Sequence, residues 1–300
     1  MESIAKGIEL DYIKRNRECE EICIKYPFLK KIKIGASVIG RDINAYKIGA
    51  SNGYVLFCAA FHGSEHITSN ILLAFAKELC YALENDTSVA GLNARKALGG
   101  RGIIFVPCVN PDGCEISIHG KSACGALSEK IGKLCKNDFT HWNSNIRGVD
   151  INHNFAAGWD ELHRLEMQNG IYGPAATRYG GRYPESEPET AAVCGLCRNY
   201  NIHHALALHT QGEVIYWNYG EKTPVNSRRM AEIMATASDY ALDSPVGLAV
   251  GGGFKDWFIT EFNRPAFTVE IGKGENPLPI DTANSLYLRV RELLMLCAIM

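Results

Sequence analysis

The chain has 300 residues, 46% of them hydrophobic, and a formal net charge of −2. This supplies a sizeable core for one large or two small domains and lacks the basic excess of a nucleic-acid binder. No apolar stretch approaches the roughly 20 residues that cross a bilayer, and Met1–Lys6 shows no basic segment leading into an apolar run, so no signal peptide is read there.

In chain order, Asp11 to Tyr26 reads as an amphipathic helix ending before Pro27. Leu29 to Ile48 alternates around Gly40-Arg41-Asp42, a β-hairpin pattern. Tyr54 to Ala60 is almost continuously apolar, as in a strand buried on both faces, and Ile67 to Leu83 is helical. Ile103 to Pro107 is a second buried strand, with Asn110-Pro111-Asp112-Gly113 as a turn. Gly120 to Asn145 reads as a long loop with a short helix. Gly148 to Asn154 is polar and irregular, and Gly170 to Pro188 is loop. Glu187 to Tyr200 and Val225 to Tyr240 are helices, His204 to His209 and Pro265 to Ile271 strands, and Asn284 to Met300 a closing helix. Strands and helices alternate with no linker or repeat, which predicts one α/β domain around a mixed, mostly parallel sheet. Eleven scattered cysteines fit buried thiols in a reducing cytoplasm better than a disulfide framework. The lone Cys194-Gly195-Leu196-Cys197 has no second pair to make a metal site.

The chemistry concentrates at Phe61-His62-Gly63-Ser64-Glu65-His66, between a strand end and a helix start, where open α/β sheets bind ligands. His62 and Glu65 lie on one side of a turn, and imidazole and carboxylate are zinc donors. A third ligand must come from elsewhere; His209, ending a strand, reaches the same sheet edge. A rival pattern, H-x-x-E-H, uses His62 and His66 as ligands and Glu65 as base, but needs an unbroken helix through Gly63-Ser64. Hydrolysis also requires a general base near the metal. Glu270, between Val269 and Ile271 in an apolar strand, is costly there unless paired or used. Arg147 is a candidate cation for a developing oxyanion, and Asp150 a candidate acceptor for the second N–H of a ligand histidine.

Together these pieces resemble the zinc metallocarboxypeptidase (carboxypeptidase A-like) family. Phe61 to Glu65, Asn110 to Gly113, Arg147 to Phe155, Leu208-His209-Thr210, Gly252 to Trp257 and Phe267 to Glu270 occur in the family's order. The resemblance implies an eight-stranded mixed sheet flanked by helices, with an N-terminal helical segment over 1–26 and the catalytic domain over 27–300. It implies one zinc ion held by His62, Glu65 and His209, with Glu270 as base, Arg147 polarising the scissile carbonyl and Asn152 holding a substrate carboxylate. Two positions depart from the digestive enzymes. His153 stands where they place a carboxylate-clamping arginine, and an imidazole lacks the guanidinium fork. Leu248 stands where they place a loop tyrosine. Asn-His-Asn-Phe, followed by Tyr183 to Glu189, looks more like the bacterial peptidases that cut the γ-D-glutamyl–diaminopimelate bond of peptidoglycan stem peptides, with Lys255 meeting a substrate carboxylate. The alternatives are a general metallocarboxypeptidase, an N-acyl amino-acid deacylase, and a non-catalytic binder of peptides or wall fragments. The expected location is cytoplasmic, with spore or wall association left open.

Overall fold

The structure, a computed structural model, describes residues 5–49 and 53–300; Met1–Ile4 lie outside the described residues. Helix α1 (Tyr12–Lys25) starts where the Asp11 carboxylate accepts the Lys14 N–H at 2.8 Å. Strands β1 (Lys30–Ala36) and β2 (Asp42–Ile48) form the expected hairpin. Strand β3 (Tyr54–Ala59) leads through a tight turn into α2 (Ile67–Asn85). A two-residue ladder, β4 (Ser88–Val89) with β5 (Leu92–Asn93), and the short α3 (Ala94–Leu98) precede β6 (Gly102–Val106).

Asn110-Pro111-Asp112-Gly113 is not a free turn. It opens helix α4 (Pro111–His119), with Asn110 Oδ1 accepting the Gly113 N–H at 2.8 Å. The same residues serve both ends, because Asn caps helices and Pro suits their first turn. Helices α5 (Ser128–Leu134) and α6 (Trp159–Gln168) flank the long irregular stretch. Then come α7 (Pro188–Asn199), β7 (Ile202–His209), β8 (Val214–Tyr216), α8 (Ser227–Ser238), β9 (Ala241–Asp243), α9 (Phe254–Phe262), β10 (Ala266–Glu270) and α10 (Ala283–Ile299).

Eight strands make one sheet in the order β1-β2-β6-β3-β7-β10-β8-β9. The four central strands, β6, β3, β7 and β10, run parallel, and antiparallel pairings join β1 to β2, β2 to β6 and β10 to β8. The apolar strands are buried on both sides because each face carries its own core. Val55, Phe57, Ile103, Leu206 and Phe267 point to the face covered by α2, α8 and α10. Leu56, Cys58, Ile104, Ala205 and Ala266 point to the face covered by α7 and α9. Parallel strands end at one edge, so the residues that close β3, β7 and β10 are neighbours. Register sharpens this: Glu270, last in β10, lies opposite His209, last in β7.

Candidate metal centre

The turn after β3 is held before any metal ligand is considered. The Ala60 N–H donates to Thr68 Oγ1 (2.9 Å), and that hydroxyl donates to Glu65 O (2.7 Å). Gly63 is required by close approach: a Cβ there would lie 2.4 Å from the carbonyl oxygens of Gly113 and Trp142. The chain therefore makes a single 3₁₀ turn, Gly63–Glu65, rather than the unbroken helix that H-x-x-E-H demands.

This turn brings two imidazoles onto one carboxylate. His62 Nδ1 faces Glu65 Oε1 at 2.8 Å, and His209 Nδ1 faces Glu65 Oε2 at 2.9 Å. The candidate ligand atoms of His62, Glu65 and His209 all lie within 4.8 Å of one another. Zinc bonds of about 2.0–2.2 Å place ligand atoms roughly 3–4 Å apart, so the donor set fits zinc in type and spacing. Behind His62, Nε2 faces Asp150 Oδ1 at 3.1 Å, the carboxylate support that fixes the orientation of a ligand imidazole. The Phe61 ring stacks on His209 with centroids 5.3 Å apart.

The charges follow from this packing. Burial opposes ionisation of Glu65, but the two imidazoles outweigh it and pull its carboxyl down to about 2. Burial likewise works against the Asp150 carboxylate, yet His62, His153 and the Arg178 N–H hold it well below the usual range. Burial also disfavours charge on His62, and its two carboxylate neighbours override that, raising it well above the ordinary imidazole value. Glu270 has no such help. Burial and the nearby Glu65 charge push its carboxyl well up, and His62 offsets only part. His66 lies off the cavity; burial and Arg15 push it down to about 4.

A cavity of about 230 Å³ opens in front of these groups, lined by His62, His209, Glu270, Asn152, His153 and Lys255 among others. Each expected substrate group is held in place. Asn152 Oδ1 accepts the Phe254 N–H (3.0 Å), leaving its amide N–H groups for a ligand. His153 Nδ1 faces the buried Glu166 at 2.9 Å, so its other edge serves the cavity. Lys255 is buried, ion-paired with Asp256, and donates to Asn218 O at 2.7 Å.

Arg147 is not brought to this cavity. The Asn145 side chain accepts the Arg147 and Val149 N–H groups (2.9 and 3.2 Å), and Gly148 turns the chain at φ +79°. That turn sends Asp150 inward and Arg147 outward, where it pairs with Glu187 at 3.4 Å beside a separate surface cavity shared with Lys130 and Arg182. The polar groups on this side of the cavity are instead Asn143, Thr177 and Arg178. Nothing in sequence spacing marks them; they arrive on irregular loops. The cavity also has a phenol, Tyr216 of β8, alongside Leu248. Cys194 and Cys197 are buried on α7, with both thiols pushed up by burial, as inert packing residues are.

A profile of the zinc carboxypeptidase family matches residues 16–293. The γ-D-glutamyl-L-diamino acid endopeptidase 1 of Lysinibacillus sphaericus is 37% identical over 280 residues, 92% of this chain and 69% of that protein. The crystal structure of carboxypeptidase A from Helicoverpa armigera superposes with a TM-score of 0.75 at 19% identity, covering 97% of this chain and 73% of that one. The murein-tripeptide amidase of Escherichia coli O157 superposes with a TM-score of 0.56 at 22% identity, covering 88% of this chain and 91% of that one. Among the described residues, no helix is long and apolar enough to cross a membrane.

Proposed function

The chain belongs to the zinc carboxypeptidase family, and from that premise we propose that it hydrolyses the γ-D-glutamyl–diaminopimelate amide of peptidoglycan stem peptides. The observation that carries the reading is the wall of the cavity beside the metal ligands, where Asn152, His153 and Lys255 replace a simple apolar pocket. A diaminopimelate residue has an ammonium and carboxylates beyond the scissile bond, and a wall of amide and imidazole groups beside the Lys255–Asp256 ion pair suits such an end. The 37%-identical relative is named for a substrate of this class.

His62, Glu65 and His209 would hold the zinc, which would supply Lewis acidity to a carbonyl and lower the pKa of a water to about 7. The protein does the rest. Glu270 accepts the proton of the attacking water and returns it to the leaving amine as the C–N bond breaks, yielding a glutamyl carboxylate and a free amino group. Its raised carboxyl suits a group that must both take and give a proton. Asp150 keeps His62 in its ligand orientation. Asn143, whose Oδ1 accepts from Ser64 Oγ at 2.5 Å and whose amide donates to Thr177 Oγ1 at 3.5 Å, lines the cavity with a second amide N–H to offer the carbonyl oxygen. Eleven free thiols suit action on muropeptides in a reducing compartment.

The test is mass spectrometry of L-Ala-γ-D-Glu-meso-diaminopimelate after incubation with the zinc-loaded protein. Release of diaminopimelate with L-Ala-D-Glu is expected. Faster cleavage of hippuryl-type L-peptides would assign the chain to general carboxypeptidase activity instead.

A further inference from the structure

The cavity has two walls made by different segments. On one, Asn152 and His153 pack against residues 251–254, with Phe254 N–H on Asn152 Oδ1 and Phe155 N–H on Gly252 O (2.8 Å). On the other lie Asp150, Thr177, Arg178 and Asn143: Asp150 Oδ2 accepts the Arg178 N–H (2.8 Å) and the Thr177 hydroxyl (3.4 Å), and the Asn143 amide donates to Thr177 Oγ1 (3.5 Å). Arg178 is the one arginine among the residues lining this cavity. Its side chain is exposed and makes no hydrogen bond or ion pair with the described residues. Lys255, by contrast, is already committed to Asp256 and Asn218.

The backbone of Arg178 sits at φ +67°. A non-glycine residue there costs about 1–2 kcal/mol, and such residues persist where surrounding structure holds them for a purpose. Here the holder is Asp150, whose other oxygen faces the ligand His62. One carboxylate thus fixes both a metal-binding imidazole and the root of an arginine whose head has no internal partner.

We infer that Arg178 is a specificity-determining residue that binds a free carboxylate on the acyl side of the scissile amide. This deepens the function proposed above and rests on it. A γ-linked glutamyl residue puts its side-chain carbonyl into the scissile amide, so its α-carboxylate stays free and close to the reacting carbon. An α-linked peptide has a neutral amide there. Asn152 and His153, with polar edges free toward the cavity, take the amine-side residue, which leaves the acyl side to Arg178. A guanidinium pairs with a carboxylate through two parallel N–H···O bonds that a carboxamide cannot match.

The experiment compares wild type and Arg178→Gln on L-Ala-γ-D-Glu-meso-diaminopimelate and on its D-isoglutaminyl counterpart, in which the α-carboxylate is a carboxamide. Wild type is expected to favour the free acid by about tenfold in kcat/KM, mainly through KM, as one exposed charge-assisted pair provides. Arg178→Gln should cleave both at the rate at which wild type cleaves the carboxamide, Arg178→Lys should recover part of the preference, and zinc content should match wild type in both. The same preference in Arg178→Gln, an equal loss on both substrates, or no preference in wild type overturns the inference. Failure of wild type to cleave either substrate would instead defeat the γ-D-glutamyl–diaminopimelate reading itself, and this inference with it.

Discussion

Two clusters in this molecule are built from the same parts. In one, Glu65 lies between His62 and His209; in the other, Glu166 lies between His153 and His163, with Nδ1 contacts of 2.9 and 3.1 Å. Both glutamates are buried. Among the described residues, only the first brings its ligand atoms together closely enough to hold an ion. The difference lies in what surrounds each carboxylate. Glu166 Oε2 also takes the Gly180 N–H at 3.2 Å, and His163 is stacked on Trp159 with centroids 4.7 Å apart, so that cluster is a closed brace behind His153. The Glu65 cluster faces an open cavity, with a supporting carboxylate behind His62 and a second carboxylate, Glu270, in front. Residue type makes a metal site possible, and the direction in which the lone pairs converge makes it one.

The sharpest way to break this contrast is to remove each glutamate's charge in turn. Glu65→Gln should abolish stoichiometric zinc by elemental analysis and lower turnover by about a thousandfold or more, since the metal supplies several kcal/mol to the transition state. Glu166→Gln should keep its zinc and lose about 1–3 kcal/mol of stability in urea unfolding, from leaving a buried polar group poorly paired. Zinc lost in the second variant and kept in the first would invert the assignment. Glu270→Gln should keep full zinc and lose about 10²–10⁴-fold in kcat, the usual contribution of a general base; an unchanged rate would remove Glu270 from the chemistry. Asp150→Asn should weaken zinc binding by about 10–100-fold in a chelator competition.

A third buried glutamate gives the smallest and most specific test. Glu189 has neutral donors beside it, the Asn145 amide at 3.1 Å, the Val38 N–H at 3.2 Å and its own N–H, with the Asp112 charge nearby. Burial pushes its carboxyl up from 4.5 to about 7, where the imidazoles of the first cluster pull Glu65 down. A carboxyl raised on folding favours the folded state while it stays protonated. Its contribution is complete below about pH 4.5 and is lost as pH rises toward 7. The difference in stability between Glu189→Gln and wild type should therefore grow in the variant's favour across that window. A difference that does not vary with pH would show that Glu189 is ionised throughout.

The residues proposed as histidine ligands and base stood out because each follows or closes a strand that declares itself by apolar composition, and Glu65 stood out by its spacing from His62. His62 follows Tyr54–Ala59, His209 closes β7 and Glu270 closes β10, and parallel strands deliver such residues to one edge. The elements that escaped have no such signature. Strands β8 and β9 have three residues each, too few to show a period. Helix α6 buries only Leu162 and Glu166 and carries a short apolar face of Trp159, Leu162 and Leu165 that the sequence reading passed over, while α9 buries every residue from Phe254 to Ile259, Lys255 and Asp256 included. Arg147 misled for a related reason. It stands three residues before Asp150, and only the Asn145 clamp and the Gly148 turn decide that the two side chains leave in different directions. Asn143 and Arg178 reach the cavity on loops, where position in the chain says nothing about position in space.

The pairing of Glu270 with His209 across β10 and β7 has a corollary. Their separation is set by the spacing of adjacent strands, and a one-residue slip would turn the base to the opposite face of the sheet. Base and ligand are thus geared together by main-chain hydrogen bonds that no side-chain replacement alters. The irregular segments carrying Asn143, Arg178 and His153 are under no such gearing. Substitutions in those segments would alter what the cavity accepts while leaving the spacing of Glu270 and His209 in place.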